Sequence, residues 1–405
     1  MVLSTAVQIY KIKFLSVKGK NIACIVIKDG HCCRKNLEIF NKIIYKQINH
    51  LLRQLGGELR IGLHCMSIEK NVAGIPVLLL HNIDPAWETD ETDQALREVA
   101  VFESALREMG QPLTVITVRN ADIAACIRDY DPEKYMVFNW CEEIPGVRHS
   151  EALVAQTLED LNFTYTGSPP DVLAFCWDKV KVKQLMNLRG IPTPCWRVYD
   201  SANTDDWDCF PAIVKPSREH CSFGLTAEAV VMSPDELQSQ VAAIIETFCQ
   251  PALVEDFIDG REFHISLWGN GSVEMLPPAE MDFGAFDDAR DRLCTYESKF
   301  RPGSRHYEKI GLLLPAPLSE MEHERLREIC ILAYRAVGCR DYARLDIRLR
   351  EGIFYVLDVN PNADVSAEAS MACAAEAAGY TYGEMIDHII GLAVQRHPVF
   401  GPGNV

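Results

Sequence analysis

The chain has 405 residues, which at roughly 100 to 200 residues per domain leaves room for two or three packed units and excludes a mini-protein. With 48% hydrophobic and 24% charged residues, the composition is that of a globular protein and not of a disordered chain. Forty Lys and Arg against 57 Asp and Glu leave a formal charge of -17, which repels a polyanion, so no nucleic-acid partner is expected.

In chain order, residues 1–65 carry eleven Lys and Arg against Asp29, Glu38 and Glu58, a balance of +8, so the remainder carries -25. So sharp a break before a second Met, Met66, reads as an appended basic segment or an over-extended reading frame, with a targeting stretch as the alternative. Lys11, Lys13, Lys18 and Lys20 interrupt any secretory apolar region. The longest apolar run, 72–80, falls short of the roughly 18 residues that span a bilayer, so no membrane partner is expected. Fifteen cysteines without a C-x-x-C spacing suit buried thiols in a reducing cytosol, and the expected location is cytoplasmic.

From residue 75, strands at 76–81, 113–118 and 135–139 alternate with helices at 93–109, 121–128 and 150–161, the pattern of a parallel sheet wrapped by helices. The turn cluster 165–170 closes this unit, and one long helix capped by Asp171 is expected to run to Arg189. Strands follow at 196–199, 212–215 and 228–232. Ser233-Pro234-Asp235-Glu236 then supplies a cap, a first-turn proline and a third-position glutamate for the next helix. Strands at 252–258, 262–268 and 272–276, a helix at 318–337, a hairpin of 342–350 with 354–359, and helices at 367–378 and 382–393 complete the α/β reading.

Walker A, G-x-G-x-x-G, H-E-x-x-H and G-x-S-x-G patterns are absent. Chemistry concentrates on the last hairpin, where strict alternation puts Arg344, Asp346 and Arg348 on one face and Leu345, Ile347 and Leu349 on the other. A three-residue turn with Arg350 opposite Phe354 would set Asp346 across from Asp358 and Arg344 across from Asn360. Facing carboxylates call for a cation between them, and with an amide oxygen they make a hard donor set suited to Mg²⁺. Lys215 ends an apolar strand and enters a polar loop able to cover phosphates, and Lys179 follows Trp177-Asp178 on a helix.

Taken together, Val137-Phe138-Asn139, Tyr165-Thr166-Gly167-Ser168, Asp178-Lys179, Ile213-Val214-Lys215-Pro216-Ser217-Arg218-Glu219, Val254-Glu255-Asp256-Phe257-Ile258, Gly260-Arg261-Glu262-Phe263, Arg344-Leu345-Asp346 and Asp358-Val359-Asn360-Pro361 resemble the ATP-grasp superfamily, in its D-alanine:D-alanine ligase-like branch. The resemblance covers about residues 75–395. It implies two α+β subdomains clasping ATP, at 171–250 and 251–395, behind a Rossmann-like pre-ATP-grasp domain at 75–170, with a basic extension over 1–74 and a tail over 396–405. It implies that Lys179 and Lys215 hold the ATP phosphates, that Glu255, Asp256, Phe257 and Ile258 meet the adenine, and that Glu262 meets the ribose. Asp346, Asp358 and Asn360 would carry Mg²⁺, normally two ions, with Mn²⁺ as a substitute. Arg344, Lys299 and Ser222 would serve the phosphoryl in flight.

The implied reaction joins a small carboxylate to an amine through an acyl phosphate, and the resemblance leaves room for a homodimer. Departures point away from two D-alanines: His81-Asn82-Ile83-Asp84-Pro85 stands where relatives open with Gly-Gly-x-Ser-x-Glu. His220 and Cys221 replace two phosphate-loop positions, Phe300 replaces a tyrosine, and Asn362-Ala363-Asp364 replaces a glycine-bearing loop. The expectation is a ligase with other substrates and either a cationic or neutral acceptor or a rearranged loop at Asp364. A genuine D-alanine:D-alanine ligase and a catalytically silent nucleotide-binding protein are the alternatives.

Overall fold

The computed structural model describes residues 9–17, 20–27, 74–219, 222, 225–301 and 303–401, as backbone only over the first two stretches and at Phe300. Met1–Glu69 and Lys70–Val405 are separate compact units. In the first, β1 (Ile9–Val17) pairs antiparallel with β2 (Lys20–Ile27). The remainder of the basic segment up to residue 73, Met66 included, lies outside the described residues, as do His220 and Cys221.

The second unit opens with β3 (Val77–Asn82), α1 (Thr89–Glu108), β4 (Leu113–Val118), α2 (Ile123–Ile127), β5 (Met136–Trp140) and α3 (Glu151–Asp160). The strands form a parallel sheet in the order β4-β3-β5. Every residue of β3 is buried because both faces are covered: Leu78 and Leu80 join Val137, Val154 and Leu158, whereas Val77 and Leu79 join Phe102, Phe138 and Ile386. That is why its sequence is a continuous apolar run.

The single helix expected over 171–189 is two, α4 (Pro170–Cys176) and α5 (Lys179–Leu188), and the first is capped at Pro169, not Asp171. Asp178 breaks the run because its carboxylate accepts from the Lys181 N–H as the second helix's cap. Lys179 becomes the first residue of α5, its N–H donating to the Ser217 carbonyl at 3.1 Å.

An antiparallel sheet follows, with β6 (Trp196–Tyr199), β7 (Ala212–Pro216), β8 (Val230–Val231) and β9 (Ala252–Asp256) in the order β6-β9-β7-β8. Helix α6 (Pro234–Phe248) covers it with Leu237, Val241 and Ile244, and Ser233 caps that helix as the sequence predicts. The strand expected at 228–232 shrinks to β8 because a 3₁₀ turn occupies Ala227–Ala229.

The last sheet comprises β10 (Arg261–Trp268), β11 (Glu274–Met275), β12 (Ala279–Asp282), β13 (Gly311–Leu313), β14 (Tyr342–Arg350) and β15 (Ile353–Pro361). Its order is β13-β12-β10-β14-β15, with β11 on β10. Between its strands run α7 (Tyr296–Phe300), α8 (Arg305–Lys309) and α9 (Glu320–Val337), and α10 (Ser370–Ala377) and α11 (Tyr382–Val394) end the fold. Phe263, Ile265, Leu345, Ile347 and Val359 pack one face of the sheet against Val182 and Met186 of α5 and Leu326 and Cys330 of α9. Helices α10 and α11 return to the first sheet, burying Met371, Met385 and Ile389 beside Val77 and Phe138. The opposite, polar face of β10, β14 and β15 is left to line a cavity.

Candidate active site

The site begins with a register. Arg350 pairs with Ile353 across a two-residue turn in which Glu351 and Gly352 both have positive φ, 53° and 77°. This is a type I′ hairpin turn, not the expected three-residue one, so Arg350 does not face Phe354. Three steps later the ladder shifts by one residue at Leu357, between the Ile347–Val356 and Asp346–Asp358 pairs. This bulge offsets the shorter turn, and Asp346 still faces Asp358 while Arg344 faces Asn360. On the other side Asp346 faces His264, Arg344 faces Ser266 and Arg348 faces Glu262.

Cations sit on these carboxylates. Arg344 donates from Nε and Nη2 to the two oxygens of Asp346 at 2.8 and 3.1 Å, and the Asn360 amide donates to Asp346 Oδ2 at 3.3 Å. Burial pushes the Asp346 carboxyl up, but Arg344, His264 and Lys299 outweigh it and hold the group well below the ordinary carboxylate range. Lys179 Nζ donates to Asp358 Oδ2. Burial disfavours the ammonium, yet Asp358, Glu255 and Asp346 together raise Lys179 above its usual value.

Glu255, wholly buried, is shared between two lysines: Lys183 Nζ lies 2.5 Å from Oε1, and Lys215 pairs with Oε2. Lys183 also donates to Thr193 Oγ1 at 2.8 Å. Burial and the neighbouring Lys215 lower Lys183 despite Glu255. Glu255 therefore directs its carboxylate to the lysines.

Its neighbours are also tied down. Asp256 holds Arg350 with contacts of 3.1 and 2.5 Å, the Phe257 N–H donates to Pro211, and the Ile258 carbonyl accepts from Arg348 at 2.8 Å. Arg348 is buried, lies over the Phe257 ring at 4.6 Å and donates from Nε to Glu262 Oε2 at 2.7 Å. Lys299 Nζ donates to Ser222 Oγ at 3.1 Å, and Ser222 donates on to the Cys294 carbonyl at 3.0 Å.

One cavity of about 810 Å³ gathers most of these groups, with Lys183, Thr193 and Arg350 outside its lining. Lys179, Lys215, Ser222, Glu255, Asp256, Phe257, Ile258, Glu262, Lys299, Arg344, Asp346, Asp358 and Asn360, thirteen positions singled out in the sequence, all line it. The sequence reading missed Lys183, His264, Cys294 and the role of Arg348. Lys183 follows Lys179 by one helical turn and His264 follows Glu262 by one strand repeat, so each shares a face with a residue already chosen. Cys294 carries no such signal.

At another wall, Glu142, Glu143, Glu151, Asp364 and Glu368 gather beside Asn362. Burial, then Asp364, Glu98 and Glu143, push the Glu142 carboxyl up to about 7. Burial and Glu142 push Glu151 up to about 8 against a lowering hydrogen bond from Asn362. In the opening loop Asp84 accepts from the Ala86 and Gly146 N–H groups at 2.8 Å each.

Comparison with known proteins gives a consistent picture. Residues 195–391 match the family model described as the D-ala D-ala ligase C-terminus. The chain is 38% identical over 271 residues to an uncharacterized protein of Sinorhizobium fredii, covering 66% of this chain and 76% of that one. It is 31% identical over 249 residues to a D-alanine–D-alanine ligase of Marinomonas, covering 60% of this chain and 74% of the relative. The D-alanine–D-alanine ligase of Bacillus anthracis complexed with ATP superposes with a TM-score of 0.62 at 21% identity, over 81% of this chain and 100% of that one.

Proposed function

Because the chain belongs to the D-alanine:D-alanine ligase family, with the ATP-grasp fold, we propose that it joins a carboxylate to an amine at the expense of ATP, on substrates other than two D-alanines. The observation that carries this reading is the exchange of partners that the cavity invites. Its cations Lys179, Lys215 and Arg344 are neutralised by Asp358, Glu255 and Asp346, so a polyanion can take the cations while a divalent cation takes two of the carboxylates.

In this reading Lys179 and Lys215 hold the ATP phosphates, Glu262 the ribose, and the 255–258 segment the base. Asp346, Asp358 and Asn360 fit Mg²⁺ because two carboxylates and an amide oxygen on facing strand positions are hard donors. Bound there, the ion would neutralise charge on the β- and γ-phosphates. A substrate carboxylate oxygen attacks the γ-phosphorus and ADP leaves, giving an acyl phosphate. The acceptor nitrogen then attacks the carbonyl, phosphate leaves, and the nitrogen gives up a proton. Arg344 and Lys299 stabilise the phosphoryl as it moves, a task for fixed cations more than for covalent chemistry. The division into ATP-grasp subdomains at 171–250 and 251–395 belongs to the same proposal.

The acceptor is cationic or neutral. Glu142, Glu143, Glu151, Asp364 and Glu368 form a wall that repels a second carboxylate and welcomes a positively charged amine. The test is ADP release with Mg²⁺ and ATP across amino acids, hydroxy acids, diamines and simple carboxylates. D-Alanine alone should elicit little turnover and a cationic amine with a carboxylate partner much more. Robust D-alanyl-D-alanine synthesis would overturn the substrate reading, and absence of ATP binding would overturn the whole.

A further inference from the structure

We propose that Glu262, His264 and Cys294 form a binding site for a soft divalent cation of the Zn²⁺ type, distinct from the Asp346, Asp358 and Asn360 donor set. One ligand atom from each of the three lies within 4.8 Å of the other two. Bonds of about 2.0–2.3 Å in a tetrahedral zinc site put donor atoms roughly 3.3–3.8 Å apart, so the triad needs a contraction of about 1 Å. Glu262 and His264 are alternate residues on the polar face of β10, and Cys294 precedes α7, so two separate segments supply the donors. All three line the cavity and are buried, at 4, 6 and 9% exposure.

The donor types discriminate. Sulfur and imidazole nitrogen are poor partners for Mg²⁺ and good ones for Zn²⁺ or Co²⁺, whereas the neighbouring donor set holds only oxygens. One carboxylate and one thiolate match the charge of a divalent ion, with Arg348, 2.6 Å from Glu262, left as an additional positive charge, and the thiol proton passes to solvent as the sulfur bonds the metal. Glu262 already receives hydrogen bonds from His264 and the Cys294 thiol as well as from Arg348, so an ion would replace the first two. Glu262 Oε2 accepts from Arg348 at 2.7 Å, while Oε1 faces His264 Nε2 at 3.5 Å. Arg348 would act as an outer partner that fixes the carboxylate's direction. His264 also stands 4.0 Å from Asp346, so an ion here adjoins the proposed Mg²⁺ donors and takes the carboxylate proposed for the ribose. Soft-metal occupancy should therefore weaken nucleotide binding.

The experiment needs no turnover. The full chain is titrated with Co²⁺ in place of Zn²⁺, following the thiolate-to-metal charge-transfer absorption and the equivalents bound. Because the chain has fifteen cysteines, the comparison is between wild type and variants. Wild type should bind one equivalent more than Cys294→Ser, with the corresponding absorption missing from the variant. His264→Gln should weaken that equivalent at least tenfold, and it carries the test where Cys294→Ser fails to fold. Equal stoichiometry and equal absorption in wild type and both variants would overturn the site. ATP binding unaffected by saturating the extra equivalent would overturn its effect on the nucleotide.

Discussion

The two ends of the cavity handle charge in opposite ways. At the end lined by Lys179, Lys215 and Arg344, positive and negative groups interlock, and Glu255 is held from both sides by Lys183 and Lys215. At the other wall Glu142, Glu143, Glu151, Asp364 and Glu368 face the same space with one sign of charge, and two of them retain protons to unusually high pH. The first arrangement holds ligand-binding groups in place before a ligand arrives. The second is completed by what binds, and is where a substrate is chosen.

The largest effect should come from breaking the interlocked end at its metal donors. Asp346→Asn keeps the side chain's shape and removes its charge, so ADP release should fall by at least about a hundredfold while circular dichroism stays native. Wild-type turnover in that variant would remove Asp346 from the site.

Two lysines on one carboxylate sharpen the comparison further. Lys183 is fully buried away from the cavity lining, whereas Lys215 lines it. Lys183→Met should cost about 3 kcal/mol in urea unfolding, because a buried carboxylate loses one of two counter-charges. Lys215→Ala should instead weaken ATP binding by roughly ten- to a hundredfold in calorimetry, with a smaller loss of stability. The reverse pattern would show that these roles are misassigned. Mg²⁺ and ATP should also tighten each other's binding, by about tenfold, since each frees groups that the other needs. Independent affinities would contradict the exchange of partners.

The smallest effect lies at the acidic wall. Glu142 and Glu151 have folded-state values of about 7 and about 8, above the ordinary 4.5. Between pH 4.5 and 8 the folded state therefore binds more protons than the unfolded one, and stability falls as pH rises through that window. The melting temperature should decline modestly from pH 5 to 8, and Glu151→Gln should flatten the decline. KM for a cationic acceptor should fall several-fold over the same range as the wall acquires charge, and a pH-independent KM would separate the wall from acceptor binding.

Much of the nucleotide end is legible in the chain. Alternation over 342–350 places Arg344, Asp346 and Arg348 on one face, and they are on one face of β14. The Asp346–Asp358 pairing is correct for a reason the sequence did not supply: a shorter turn and a bulge offset one another. The helix expected over 171–189 fails at Asp178, whose capping competes with helix continuation. Strands β12 and β13 escaped notice because four and three residues are too few for a period to show.

Local chemistry, then, determined which residues share a face, where α6 begins and which side chains carry charge, because these follow from backbone geometry within a few residues. Only the packing of the sheets decided the partners. It put Lys183 on Glu255, Arg348 on Glu262 and Cys294 beside His264, across separations of up to 86 residues. Ion pairing and burial depend on which groups lie within about 4 Å and on how much water the surroundings exclude, and neither is a property of a local stretch of chain.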